Sequence, residues 1–296
     1  MNLVKALVLF TLVFGMISCK ENHFKADKTF AGGIKVSKEV LNLGKSTYAE
    51  YCIQCHGVNG DGNGPAAKGL IPPPRNLTTG QYKFGRVVAG DLPHDSHIAR
   101  LIVKGLNGSA MLPWDIEEPR LNAVIQYIKT FAPAVWEEEG AQLGEELKPT
   151  KDPYGIAHRE FAIQKGKEVY HAVAQCYTCH RAYEPKSEIQ KWQRKYNGEA
   201  EELDDEIYEL KGQDTDYAYK ALPPDFTWHK LRSIYDKTRV EDLYIRLASG
   251  VNGAAMPSWK GVIEEDEIWA LAYYVEHLMS LKGTAGRKEL LGKLPK

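Results

Sequence analysis

Two short segments with the pattern Cys-x-x-Cys-His constrain this chain more than any other feature of its sequence. They are YCIQCHG (51–57) and QCYTCHR (175–181), and they use four of the five cysteines. Their surroundings also repeat, because GKSTYAEYCIQCH from Gly44 matches GKEVYHAVAQCYTCH from Gly166. Two further pairs follow in the same order in both halves: GLNGSAMLPW (105–114) with GVNGAAMPSW (250–259), and EEPRLNAVIQYIKTF from Glu117 with EEDEIWALAYYVEHL from Glu264. This ordered self-similarity indicates a duplicated domain.

Each half of the duplication has the periodicity of helices. Apolar residues recur at helical spacing near the end of both halves: Leu121, Val124, Ile125 and Ile128, then Ile268, Leu271, Ala272 and Val275. No long alternation with period two favours a sheet. With 296 residues, the chain is long enough for two domains. The sequence therefore predicts an all-α fold of two tandem helical domains.

The spacing within each motif brings three chemically active side chains together. Residues i, i+3 and i+4 share one face of a helical turn. The two sets are Cys52, Cys55 and His56, and Cys176, Cys179 and His180. Each set suits a haem, whose vinyl groups bond covalently to the thiols while the histidine coordinates iron. Zinc needs four nearby ligands where each motif supplies three, and a redox dithiol expects a βαβ setting. We therefore predict two covalently bound haem c groups.

A second axial ligand is expected at the same place in each half. Among the five methionines, Met111 and Met256 align within the repeated GxNGxAM phrase. An arbitrary methionine usually fills a gap in the core. Here, however, a loop rich in glycine and proline carries it both times. We predict that Met111 and Met256 bind iron opposite His56 and His180.

Together, these motifs resemble class I cytochrome c domains, and the chain is similar to a di-haem c-type cytochrome built from two of them. The resemblance covers roughly residues 37–135 and 156–282 and implies histidine–methionine ligation of each iron. In the family, the first and last helices cross where a glycine meets an aromatic residue. Gly44 with Tyr127, and Gly166 with Tyr274, fit this crossing.

The resemblance also implies weaker candidates around the haem pockets. A proline carbonyl after the motif commonly holds the ligand imidazole, which makes Pro73, Pro74 and Pro223 candidates. Contacts to the haem propionates are expected from Arg75 and Trp114, with Trp259 at the matching position of the second half. By contrast, His94 and His97 have no counterpart in the second half, and His229 reads as a packed or surface histidine; none is predicted to bind iron.

The N-terminus has the layout of an export signal. MNLVK carries one positive charge, ALVLFTLVFGMI is an apolar run too short to span a bilayer, and Cys19 follows. The ending resembles a bacterial lipoprotein signal, which predicts cleavage after residue 18 and lipidation of Cys19. An uncleaved anchor or an ordinary secreted protein is the alternative. In either case we expect an exported protein on the periplasmic side or the cell surface.

The remaining segments follow from composition. We predict a signal over 1–19 ending at the lipidated cysteine, a polar tether over 20–36, domain 1 over 37–135, a charged linker over 136–155, domain 2 over 156–282 and a C-terminal tail over 283–296. Domain 2 carries an insertion near 184–222, which includes the acidic run EAEELDDEIYEL (199–210). Such a run is usually a solvated face, and docking of a basic redox partner is the alternative.

Iron with both axial positions filled by protein is suited to outer-sphere electron transfer and not to catalysis. We therefore expect an electron carrier tethered to a membrane by its lipid, or the cytochrome subunit of a larger respiratory complex, with redox proteins as donor and acceptor. A di-haem peroxidase-like enzyme, with one exchangeable iron position, is the main alternative; a sensor with haem as a structural core is another. The formal net charge of -1 offers no basic face for nucleic acid.

Overall fold

The computed structural model describes residues 23–217 and 219–295. The predicted signal and Cys19 lie outside these residues. Over the described ranges, no helix is both long and apolar enough to cross a membrane.

The described chain is mainly helical, as the periodicity predicted. The first half contains α1 (Lys38–Tyr51), α2 (Ile53–His56), α3 (Asp95–Lys104), α4 (Glu118–Lys129) and α5 (Pro133–Trp136). The second half contains α6 (Arg159–Glu168), α7 (Lys186–Asn197), α8 (Arg239–Ser249), α9 (Glu265–Ser280) and α10 (Ala285–Gly292). One antiparallel hairpin, β1 (Lys28–Phe30) with β2 (Ile34–Val36), precedes α1.

The same helix crossing organises both halves. α1 packs on α4, and α6 packs on α9. At the first crossing, a side chain on Gly44 would overlap the Ala123 carbonyl and lie 2.7 Å from Cβ of Tyr127. At the second, Gly166 approaches Ala270 and Tyr274 in the same way. Both pairs of a glycine and a tyrosine occur as the resemblance implied, because only a residue without Cβ lets the helices come this close.

Each half has its own hydrophobic core. The first is built around Leu41, Tyr48, Val124 and Ile125, and the second around Tyr170, Ile189, Leu271 and Tyr274. Each core joins the two crossing helices of its own half. Two tandem helical domains result, each with the CxxCH segment after its first helix.

Three segments predicted to be peripheral are packed against these cores. In the tether expected over 20–36, Phe30 and Val36 are buried in the first core. In the linker expected over 136–155, Trp136 is buried in the first core and Leu147 in the second. The tail expected over 283–296 contains α10, and Leu294 is buried. Each segment is therefore packed through a few apolar side chains despite its charged composition.

The two halves differ in the length of chain that leads into the motif. Eight positions separate Gly44 from Cys52, whereas ten separate Gly166 from Cys176. The longer path is accommodated by a π-helical turn over Val169–Val173, directly after α6. Such turns widen a helix locally without ending it. The second motif therefore follows the crossing helix as the first one does.

Candidate functional site

The first CxxCH segment forms a single tight turn at the end of α1. The amides of Cys55 and His56 both donate to the carbonyl of Cys52, at 3.2 and 2.9 Å. Gly57 ends the turn with a positive φ of 79°. Both thiols are free and half-buried. The two thiols and the imidazole are therefore carried by one backbone turn.

The imidazole of His56 is fixed by one backbone contact. Its Nδ1 lies 3.0 Å from the carbonyl oxygen of Arg75. Because a carbonyl only accepts, Nδ1 carries the proton and Nε2 keeps its lone pair. Burial lowers the pKa of His56, so the ring is held neutral. The carbonyl that contacts His56 in this structure belongs to Arg75, one residue beyond Pro74 and two beyond Pro73.

The second motif repeats the turn with a different environment. The amides of Cys179 and His180 donate to the carbonyl of Cys176, at 3.3 and 2.8 Å. Phe226 stacks on the His180 ring, with centroids 4.8 Å apart and planes inclined by 25°. Burial lowers the pKa of His180 to about 4, a shift that the nearby Pro224 carbonyl partly offsets.

Nδ1 of His180 is buried without a hydrogen-bond partner in the described residues. The carbonyl that lies near this imidazole belongs to Pro224 and not to the predicted Pro223. The two imidazoles therefore differ in their support, since Arg75 holds the first through a hydrogen bond.

The protonation of the cysteines bears on the type of site. Burial raises the pKa of Cys52 and of Cys176 to about 12. Reactive dithiols and metal-binding thiolates need a lowered pKa. Among the residues that the structure describes, no three His, Cys, Asp or Glu side chains are grouped to hold a metal ion. The buried thiols of Cys52 and Cys176 therefore lack the lowered pKa of a redox dithiol or a metal-binding thiolate, and Nε2 of His56 is available to iron.

The two methionines lie in loops with the same backbone geometry. Leu106 donates to the carbonyl of Met111 at 2.8 Å, and Val251 donates to the carbonyl of Met256 at 3.1 Å. Each loop is anchored by its tryptophan, because the amides of Trp114 and Trp259 both donate at 3.1 Å to the helix before the loop.

Matching glycines begin both methionine loops. Gly105 and Gly250 have positive φ values of 66° and 71°. A Cβ on Gly105 would lie 2.7 Å from the carbonyl oxygen of Met111, and one on Gly250 would lie 2.8 Å from that of Met256. The repeated phrase thus encodes one loop shape in both domains.

This duplicated arrangement agrees with comparisons to known proteins. The family model described as cytochrome c oxidase, cbb3-type, subunit III matches residues 39–128 and 161–275. The chain belongs to this family. The match confirms the all-α fold of tandem cytochrome c domains and identifies an electron-transfer cytochrome that binds haem c covalently.

A solved structure supports the same assignment. The chain is similar to a chain of the Kuenenia stuttgartiensis reducing HAO-like protein complex Kustc0457/Kustc0458, with 30% sequence identity and a TM-score of 0.60. The similarity covers 80% of this chain and 95% of that chain. No curated protein matches the sequence.

The weaker pocket candidates of this cytochrome have different surroundings. The guanidinium of Arg75 lies 3.7 Å from the ring centroid of Tyr217, a residue of the insertion. The rings of Trp114 and Tyr51 meet edge to face, with centroids 5.7 Å apart, and Tyr51 directly precedes the first motif. Trp259 is half-buried against the second core.

The remaining histidines weighed from the sequence have structural partners. Nε2 of His94 lies 2.8 Å from the Gly144 carbonyl, and Nε2 of His97 lies 3.0 Å from a Glu146 carboxylate. Both contacts fasten residues 136–155 to the first domain. His229 is exposed, and its Nδ1 accepts from the amide of Asp225.

One buried carboxylate near the second motif was missed by sequence reasoning. Asp225 accepts from Thr227 and from the hydroxyl of Tyr183. It also pairs with Arg181, directly after His180, and with Arg287 of α10, at 3.5 and 3.4 Å. No local pattern marks this residue, because its partners are up to 62 positions away.

The insertion lies beside the second motif. A cleft of about 250 Å³ is bordered by Cys179 and His180 on one side and by residues 201–211 on the other. Five acidic residues line it: Glu201, Glu202, Asp204, Glu206 and Glu209. The acidic run therefore contributes negative charge close to one of the two CxxCH segments of this cytochrome.

Proposed function

We propose that this cytochrome carries two haem c groups and performs outer-sphere electron transfer in an extracytoplasmic redox chain. The observation that carries the proposal is the duplication itself. Both domains present the same CxxCH turn and the same hydrogen-bonded methionine loop. A single haem would explain only one of these pairs.

The proposed roles are the same in each domain. Cys52 with Cys55, and Cys176 with Cys179, hold the haem vinyl groups through thioethers. The axial pairs are His56 with Met111 and His180 with Met256. When bound, each haem supplies a one-electron couple, and methionine–histidine ligation favours a raised potential. The hydrogen bond from His56 to the Arg75 carbonyl keeps the imidazole proton on Nδ1, which leaves the lone pair of Nε2 free to bind iron.

The setting is also part of the proposal. We infer a lipid on Cys19, location on the periplasmic side or cell surface, and redox proteins as donor and acceptor. The family's description as an oxidase subunit and the similar chain from a protein complex support association with larger redox assemblies. The protein would serve as a tethered carrier or as an electron-transfer subunit of such a complex.

Haem stoichiometry and ligand binding test this function. A pyridine haemochrome assay on purified full-length protein should give two haems per chain. The oxidised protein should show the near-infrared band of methionine ligation, and the reduced protein should resist CO. Fast CO or cyanide binding at one haem, together with peroxide turnover, would instead support a peroxidase-like enzyme.

The lipid anchor has its own test. Cells fed a labelled fatty acid should incorporate label into the wild-type chain, and Cys19→Ser should abolish the label while leaving both haems attached. Label retained in that variant would contradict lipidation at Cys19.

A further inference from the structure

Three cationic side chains meet at the interface between the two domains. Arg75 and Lys83 belong to the first domain and Arg232 to the second. Burial lowers the pKa of Lys83 and of Arg232, and repulsion from the neighbouring cations lowers both further. None of the three forms an ion pair with a carboxylate within residues 23–217 and 219–295. Nε of Arg232 is buried there without a hydrogen-bond partner.

Two tyrosines of the insertion cover this cluster. The Tyr217 ring lies 3.7 Å from the Arg75 guanidinium and 4.6 Å from Nζ of Lys83. Nζ of Lys83 also lies 3.2 Å from the Tyr219 hydroxyl. The exposed Asp216 adjoins Tyr217 but pairs with none of the three cations.

Partly burying three like charges without a counter-charge is unfavourable. Each loses hydration, and their mutual repulsion adds to the cost. The faces of aromatic rings attract a cation, but this attraction does not replace the counter-charge of an anion. Elsewhere at this interface, Arg86 and Arg100 share the buried carboxylate of Asp242. The contrast indicates that the first cluster is shaped for an anion that comes from outside the polypeptide.

The position of the cluster indicates which anion this is. The carbonyl of Arg75 is the partner of His56, so the Arg75 residue lies beside the first haem site. Tyr217 donates to the carbonyl of Asn252 at 2.6 Å, within the loop that carries Met256. The cluster thus lies between the histidine side of the first site and the methionine loop of the second. A haem carries two propionate carboxylates that suit guanidinium and ammonium groups.

We propose that Arg75, Lys83 and Arg232 form a carboxylate site, completed by both domains, that holds a propionate of the haem attached at Cys52 and Cys55. This rests on the proposed function, since it requires a haem in the first domain. The second domain then acts on the first haem through Arg232, Tyr217 and Tyr219. Because nearby positive charge favours the reduced state, the cluster raises the potential of the first haem.

Charge-removing variants of the full-length, haem-loaded protein test the site. Lys83→Gln and Arg232→Gln should each lower the midpoint potential of the first haem in an optical redox titration, and the double variant should lower it further. Arg232→Lys should retain most of the wild-type value. The propionate bending modes in resonance Raman spectra should shift in both Gln variants. Lys148→Gln, which removes an exposed cation elsewhere, should change neither readout.

The outcomes separate this site from its alternatives. Unchanged potentials and Raman modes in both Gln variants, or a shift confined to the second haem, would overturn the proposal. The proposal would also be overturned if added acetate shifted the potential of the wild-type protein while the propionate modes stayed fixed. The cluster would then bind a free carboxylate and not the propionate. Haem counts and the near-infrared band are recorded for every variant. If they remain those of a two-haem, methionine-ligated protein, the proposed function stands whatever happens to the potentials.

Discussion

His171 shows how one side chain of the second domain is held in a single protonation state. The ring is fully buried within the π-helical turn Val169–Val173. Its Nδ1 lies 2.8 Å from the Lys167 carbonyl, and its Nε2 accepts from the amide of Tyr183 at 3.2 Å. A second proton, on Nε2, would point at the N–H of Tyr183 and break this hydrogen bond. Burial lowers the pKa of His171 to about 3, so the ring stays neutral near pH 7.

The free energy of unfolding should therefore fall as pH decreases from about 6.5 toward 3. In that window the unfolded state takes up a proton at His171 that the native state refuses. Between pH 7 and 5, His171→Gln should remove about 2 kcal/mol of this pH dependence. Denaturant unfolding of wild type and variant at pH 7 and pH 5 measures this difference. His158→Gln, at an exposed position, is the control and should keep the wild-type pH dependence. Equal pH dependence in His171→Gln and wild type would contradict the assignment.

Met256 tests the axial-ligand assignment at the residue scale. Met256→Ala should remove the near-infrared band from one haem, allow CO to bind it, and lower its potential by an appreciable part of the roughly 0.8 V that axial ligands span. Met279→Ala is the matched control, because Met279 packs against the same core outside the repeated loop. A Met256→Ala protein with an intact band and no CO binding would show that another residue binds iron.

At the scale of elements, the crossing of α6 and α9 depends on Gly166. A methyl group there would overlap the Ala270 carbonyl and lie 2.6 Å from Cβ of Tyr274. The backbone of α6 or α9 could make room only if a whole helix moved. Gly166→Ala should therefore lower the free energy of unfolding by about 1–3 kcal/mol. Gly292→Ala is the control, since nothing lies within 4 Å of a Cβ there. An unchanged denaturation midpoint for Gly166→Ala would show that the helices can separate at little cost.

The elements that could be predicted from sequence are those encoded locally. Helical periodicity identified α4 and α9, and the repeated phrases identified both methionine loops, whose hydrogen bonds join residues only a few positions apart. The hairpin before α1 could not be predicted in this way. Gly32 donates to the Ala141 carbonyl, 109 positions away. Sequence could likewise not identify the Arg75 carbonyl as the acceptor for His56. The orientation of the imidazole in the fold, and not the presence of a nearby proline, decides which carbonyl it contacts.

At the scale of the whole molecule, the methionine loops lie at the contact between the domains. The Tyr235 hydroxyl donates to the Gly105 carbonyl at 2.8 Å, and Asn107 donates to the Ile234 carbonyl at 2.7 Å. At the second loop, the amide of Ala89 in the first domain donates at 2.9 Å to the carbonyl of Ser249, directly before Gly250. The interface therefore holds both candidate ligand loops, and any change in the packing of the domains reaches both sites.

Buried charged groups connect the two domains at this interface. Asp242 of α8 is almost fully buried and accepts from Arg100 of α3 at 2.6 Å, with Arg86 at 3.8 Å. The same carboxylate accepts from the Tyr235 amide and the Thr238 hydroxyl. Arg246 lies nearby, 4.0 Å above the Phe84 ring. One carboxylate thus compensates arginines from both domains.

Asp242→Asn should uncouple the two domains, because it leaves these arginines buried without a counter-charge. Removing one partner of a buried pair typically costs about 3–5 kcal/mol. In calorimetry of the haem-loaded protein, we expect the variant to unfold at lower temperature and in two resolved transitions, where the wild type shows one. Asp236→Asn removes a carboxylate that is 92% exposed and pairs with Arg239 on the surface, so it should leave the transition almost unchanged. If Asp242→Asn unfolded like the wild type, the interface would be held by its backbone and tyrosine contacts instead, and the arginines would be stabilised without Asp242.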